Sequence, residues 1–253
     1  MPDSGRSKTG RTNEHTTYEP MMTDNSEPDI GGWGLVQHVS LMCACSRLQH
    51  HLGLRGAVVE VGTYMGSTLI PLVACKLPDE LALAIDPFDD AESEGTVYEK
   101  GVRGRLEANL ARKCPGRTHV DIWSASSDDI SAPQLSARLD ERRVRLFHVD
   151  GSRAARSVRH GLHLAESTLA PDGCVFLDDF LNEGWPSVSE GAFAHLLNGS
   201  RLVPFALVKS KLGLSFAPMR DALFHASRQA VAEMELVQRK EVSLLGHTIS
   251  MGR

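Results

Sequence analysis

Val58-Val59-Glu60-Val61-Gly62-Thr63-Tyr64-Met65-Gly66-Ser67-Thr68 is the stretch whose reading decides the fold. It begins as an apolar strand, ends that strand in an acid, turns through one glycine and enters a helix four residues later at a second. Glycines suit a turn in which the backbone must approach a ligand closely. A strand that turns in this way into a helix is the opening unit of a doubly wound sheet, whose ligand crevice lies beyond the carboxyl ends of the strands.

Working outward, Leu81-Ala82-Leu83-Ala84-Ile85-Asp86 reads as a second buried strand that also ends in an acid. In a doubly wound sheet Asp86 reaches the same crevice, where a carboxylate can accept hydrogen bonds from both hydroxyls of a ribose. Further strands read as His119 to Trp123, Val144 to Val149 and Cys174 to Leu177. Most of the strands are near-continuous in apolar residues rather than alternating, as strands covered on both faces are.

Helical patterns lie between the strands. The clearest is Arg153 to Leu169, with Val158, Leu162, Ala165 and Leu169 on one face before Pro171-Asp172-Gly173. Strand-helix alternation implies an α/β, Rossmann-like, mostly parallel sheet. Leu202 to Val208 and Leu212 to Phe216, separated by a polar turn at Ser210 and Lys211, read as a hairpin. The sheet is thus expected to have seven strands, one of them antiparallel near the C-terminus.

The tail carries a helix over Ala222 to Leu236 and a weaker extended piece from Val242 to Ile249. Residues 1–28 are polar and lack periodic apolar positions, so they predict a disordered leader. Leu35 to Leu54 predicts a helix that caps a single domain spanning 29–253.

The 253 residues suit one full-size α/β domain. With a net charge of -5 and no long basic run, the chain has no footprint for a phosphate backbone, so no nucleic-acid partner is expected. No apolar run approaches the roughly 20 residues of a membrane helix, and no membrane partner and a cytoplasmic location are expected. Cys43, Cys45, Cys75, Cys114 and Cys174 lack metal-ligand spacing and read as buried free thiols. Homo-oligomerisation is left open.

The dinucleotide fingerprint has three glycines, and this loop offers only Gly62 and Gly66. Its acid-x-Gly-x-x-x-Gly spacing resembles the first motif of the class I, S-adenosylmethionine (SAM)-dependent methyltransferases, and the form Glu-x-Gly-x-Tyr-x-Gly is similar to catechol O-methyltransferase and its relatives. The resemblance implies that Glu60, Gly62, Thr63, Tyr64, Gly66, Ser67 and Thr68 border the methionine end of SAM. It likewise implies that Asp86 holds the ribose, that Ser124, Ala125 and Ser126 seat adenine, and that Asp150 borders the cofactor as well as the acceptor.

Phe147-His148-Val149-Asp150-Gly151 and Val175-Phe176-Leu177-Asp178-Asp179-Phe180 bring three acids to the same sheet edge. Crowded like charges favour a cation, and an all-oxygen set suits Mg²⁺. This arrangement resembles the metal-dependent O-methyltransferases, and Asp178 to Gly191 resembles macrocin O-methyltransferase-like enzymes that modify sugars and natural products. That resemblance implies Asp150, Asp178 and Asp179 as Mg²⁺ ligands and a hydroxylated small molecule as acceptor.

Relatives often carry Lys or His three residues beyond the first metal acid, where this chain has Arg153. Arg is a poor base at neutral pH. Arg153 is therefore expected beside Asp150 in the catalytic set as an orienting group. The proton acceptor is Asp150 with the metal, or a histidine. His148 is a candidate, although a strand histidine is more often structural. His160, His163 and His195 fall on helices and are left unassigned. Trp33 and Trp185 line a pocket or pack a lid. Two other functions remain open: a nicotinamide-dependent oxidoreductase on a similar fold, and a catalytically silent methyltransferase-like binding protein.

Overall fold

The computed structural model describes residues 30, 35–88, 92–93, 96–97, 100–116 and 119–253. The predicted leader and Trp33 lie outside the described residues. The chain runs through α1 (Val36–His51), β1 (Ala57–Val61), α2 (Leu69–Cys75), β2 (Ala82–Asp86), the short pair β3 (Glu92–Ser93) and β4 (Thr96–Val97), and α3 (Val102–Lys113). It continues through β5 (Val120–Ser124), α4 (Ala132–Arg138), β6 (Val144–Val149), α5 (Ala155–Thr168), β7 (Leu169–Leu177) and α6 (Pro186–Leu196). The C-terminal part holds β8 (Leu202–Val208), β9 (Lys211–Phe216), α7 (Ala217–Glu233), β10 (Arg239–Leu244) and β11 (His247–Gly252). Among the described residues no helix is long and apolar enough to cross a membrane.

The main sheet has nine strands in the order β10-β11-β8-β9-β7-β6-β1-β2-β5, two more than the sequence predicts. Strands β5, β2, β1, β6 and β7 run parallel. Strand β9 is antiparallel to both β7 and β8, and β10 is antiparallel to β11, so two strands rather than one run against their neighbours. The extra pair arises because the tail closes on itself. Leu245 and Gly246 have φ of 51° and 79°, the positive pair that a two-residue hairpin turn requires, and the returning β11 then joins β8 in parallel.

Two other expectations shift. Strand β7 starts at Leu169, so Pro171-Asp172-Gly173 lies within the strand rather than closing the helix before it. The β8-β9 turn is Lys209-Ser210, with Lys209 at a φ of 54°, and Lys211 is the first residue of β9, fully buried.

Alternation along the strands divides the core in two. Val59, Val61, Phe147, Val149, Val175 and Leu177 point to the face under α4, α5 and α6, whereas Val58, Leu146, Cys174 and Phe176 point to the face under α1 and α7. The second face carries the polar residues. Ladder pairing puts Glu60, His148, Phe176 and Gly213 in one row across four strands. Two residues further along each chain the same parity holds Gly62, Asp150 and Asp178 and, because β9 runs backwards, Lys211.

Candidate active site

The loop after β1 is shaped first by the fold. Gly62 has a φ of 84°, and a Cβ there would lie 1.9 Å from the Asp150 carbonyl oxygen, so the β1 and β6 ends touch only because the residue is glycine. Gly66, at a φ of 89°, is pressed against Leu106 and Ile70. Residues between them form turns, and α2 begins at Leu69 rather than at Gly66, with Thr68 at its N-cap.

Asp86 is buried and accepts from the Tyr64 amide at 2.9 Å and the Phe88 amide at 2.7 Å. It therefore ties the first loop to the turn after its own strand, and burial raises its carboxyl above the usual range. Ala125 donates to the Asp86 carbonyl at 3.1 Å, which brings the end of β5 to the same crevice. The flanking hydroxyls are engaged: Ser124 accepts from Arg103 at 2.8 Å, and Ser126 caps a short 3-10 turn over Ser127–Asp129.

Glu60 and His148 are buried, with His148 Nδ1 2.7 Å from Glu60 Oε1. Burial, reinforced by Asp150, pushes the Glu60 carboxyl well above the carboxylate range; burial and Lys211 push His148 well below its ordinary value. Lys211 Nζ lies 2.5 Å from His148 Nε2 and 2.7 Å from Asp178 Oδ2. An ammonium can only donate, so His148 must accept at Nε2 and carry its proton at Nδ1, which donates to Glu60. The buried Thr63 hydroxyl hydrogen-bonds to the Glu60 carboxyl.

Asp178 is the ionised acid of the group. Burial alone would raise its carboxyl, but Lys211, His38 and His148 together hold it below the usual range. Its Oδ1 accepts from the Asp179 amide at 2.8 Å and lies 3.6 Å from His38 Nδ1 of α1. Asp150 goes the other way: burial and the neighbouring Asp178 raise it well above the usual range. Asp179, at a φ of 55°, is aimed elsewhere, accepting from Arg153 at 2.8 Å and from Asn182 at 2.7 Å. Arg153 also lies 5.0 Å above the Trp185 ring, and both side chains are solvent-accessible. Asp150, Arg153, Asp178 and Asp179 share a pocket with Val158 and Val188.

The geometry thus brings Asp150 and Asp178 together and turns Asp179 towards Arg153. His148, Asp150 and Asp178 place one potential metal-ligating atom each within 4.8 Å of one another. A divalent ion does not fit this arrangement as it stands, because the Lys211 ammonium takes up His148 Nε2 and Asp178 Oδ2. With Glu60 and Asp150 favouring the neutral form, the group is already balanced by one ammonium and one carboxylate.

Sequence reasoning missed two members of this group. Ser210-Lys211, a polar pair between apolar runs, reads as a turn; the signal against that reading is that Lys211 shares parity with Gly213, the intervening Leu212 being buried on the opposite face of the sheet. His38 sits on a helix whose other face is apolar, and nothing local distinguishes it from a packing residue. In the fold it is buried, hydrogen-bonds to the Val208 backbone, and burial and Lys211 lower its pKa to about 4.

Comparison with known proteins bears on this site directly. A family model described as a methyltransferase domain matches residues 59–180. No curated protein matches the chain. Among solved structures, the TDP-rhamnose 3'-O-methyltransferase of calicheamicin biosynthesis is similar with a TM-score of 0.53 at 17% identity, covering 71% of this chain and 79% of its own. The O-methyltransferase TomG from Streptomyces achromogenes, involved in tomaymycin synthesis and solved with SAM, gives 0.52 at 17% identity over 74% and 80%. An O-methyltransferase from Bacillus cereus, solved with S-adenosylhomocysteine (SAH), gives 0.52 at 12% identity over 72% and 80%. At these identities the likeness is one of fold.

Proposed function

We propose that the chain, whose residues 59–180 match a methyltransferase domain, is a class I, SAM-dependent methyltransferase that methylates a hydroxyl of a small molecule, sugar-bearing natural products ahead of catechol-like phenols. One observation carries the reading. The matched stretch, 59–180, runs from the strand before the glycine loop to the residue after Asp179, so the loop and the acid pair belong to one domain and meet at one sheet edge.

Bound SAM would supply a methyl group on a positively charged sulfur. Glu60, Gly62, Thr63, Tyr64, Gly66, Ser67 and Thr68 are assigned to its methionine end, Asp86 to the ribose, and Ser124, Ala125 and Ser126 to the adenine side. Glu60 and Asp86, both buried at the crevice with their carboxyls raised by burial, support this assignment, because shifted acids cluster at functional sites. On the acceptor side, Arg153 and Trp185 form an exposed cation-aromatic platform that orients the acceptor. The ionised form of Asp150 takes the proton, and because burial and Asp178 raise its carboxyl, that form is a stronger base than an ordinary carboxylate. Orientation and this proton transfer supply the rate.

Mass spectrometry of hydroxylated acceptors incubated with the protein and SAM tests the proposal. A methylated sugar hydroxyl together with SAH is the expected product pair. Transfer to nitrogen or carbon instead, or oxidation of the acceptor with a nicotinamide, would overturn it.

A further inference from the structure

We propose that Lys211 is the resident cation of the acid pair and that methyl transfer in this protein needs no divalent metal; the second half rests on the methyl-transfer reading above. The position of Lys211 is dictated by topology. Strands β7 and β9 pair antiparallel up to Leu177 and Leu212, so the next residues, Asp178 and Lys211, are brought side by side. Their charged ends are 2.7 Å apart.

Lys211 is fully buried, and an ammonium taken from water without partners is costly enough that such groups are almost always paired. Its partners here are Asp178 and His148, two of the three groups that could ligate a metal at this site. A divalent ion would have to displace the ammonium or sit beside it, and two cations sharing one carboxylate repel each other. Asp179 offers no substitute, because both its oxygens are engaged by Arg153 and Asn182. The charge that relatives are expected to neutralise with an ion is neutralised here by a side chain from the antiparallel strand.

Lys211 therefore acts as a positioning residue. It fixes the Asp178 carboxylate and the His148 tautomer, and Asp178 in turn stands beside Asp150. The acceptor oxygen passes its proton to Asp150 in its ionised form and forms the new C–O bond. The S–CH₃ bond breaks with its electron pair returning to sulfur, and SAH leaves. No further co-reactant is required.

Wild-type protein stripped with EDTA and desalted is titrated with Mn²⁺ by calorimetry, and its methyl transfer is measured with and without Mg²⁺. No Mn²⁺ binding at the acids and turnover unchanged within about twofold are expected. Lys211→Ala should acquire Mn²⁺ binding that Asp178→Asn removes again, while Lys211→Met should lower kcat at least ~10-fold, the lower side of losing a preorganised electrostatic group, with SAH affinity held within about twofold. Mn²⁺ bound by the wild type at Asp150 and Asp178, or turnover abolished by EDTA and restored by Mg²⁺, would overturn the proposal. The wild-type arms decide it even where the variants do not fold. If SAH fails to bind and no acceptor is methylated, the methyl-transfer reading falls, whereas the Mn²⁺ titration still decides whether Lys211 occupies the site.

Discussion

Two charged clusters are buried against α1, one at each end of the strands, and their charges are balanced differently. At the amino end, Arg145 makes a two-pronged pair with Glu80 at 2.7 and 2.8 Å and donates to Ser46 and Gln49 at 2.9 and 3.0 Å. Glu80 also accepts from the Gly56 and Leu77 amides and meets His50. A register shift between Val144 and Leu146 accompanies the placement of Arg145. At the carboxyl end the Glu60-His148-Lys211-Asp178 chain pairs one ammonium with one carboxylate, while burial holds Glu60, His148 and Asp150 away from their charged forms. A cluster whose charges are all paired locks α1 onto the sheet; one that keeps shifted titratable groups at the crevice is built to meet a ligand.

The largest expected effect is at the amino-end cluster. Arg145→Met leaves the Glu80 carboxylate buried without its partner and should cost about 3–5 kcal/mol in chemical denaturation, the range for breaking a buried ion pair. SAH affinity of the folded fraction should be unchanged. A loss below ~1 kcal/mol would show that this cluster is not the lock it is taken to be.

Its pH dependence follows from Glu80. Burial would raise this carboxyl, but hydrogen bonds from His50 and Arg145 outweigh it and bring the pKa down to about 2. A depressed folded-state value contributes stability above the unfolded value of about 4.3, and that stability is lost as pH falls from there through about 2. Denaturation curves across that window should steepen with acid in the wild type and flatten in Glu80→Gln.

At the other end, Asp86→Ala should weaken SAH by roughly tenfold or more, since it removes a charged acceptor and frees the Tyr64 and Phe88 amides. Unchanged affinity would remove Asp86 from the cofactor site.

The smallest expected effect sharpens the contrast. Glu60→Gln should cost about 1 kcal/mol or less, because burial already favours the uncharged acid and an amide oxygen can still accept from His148. The same substitution at Glu80 should cost several times more. Equal losses at the two glutamates would erase the distinction between lock and site.

Much of this was legible in the sequence. The five parallel strands were readable because buried strands are near-continuous in apolar residues, and the acids were readable because doubly wound sheets expose strand ends at one edge. What escaped depended on distant pairing. Lys211 joins the acids only because β9 runs backwards beside β7, and a polar Ser-Lys pair reads locally as a turn. The turn of Asp179 towards Arg153 rests on its positive φ, which no residue pattern announces. The tail hairpin was half visible, since β10 is largely exposed and lacks an apolar run.

On this reading the carboxyl-end cluster and its glycine loop receive an adenosyl cofactor. Calorimetric titration of the wild-type protein with SAH and, separately, with NAD tests it most directly. The account predicts one SAH per chain, with affinity lowered by Asp86→Ala, and no heat of binding for NAD. Binding of NAD in preference to SAH would contradict it.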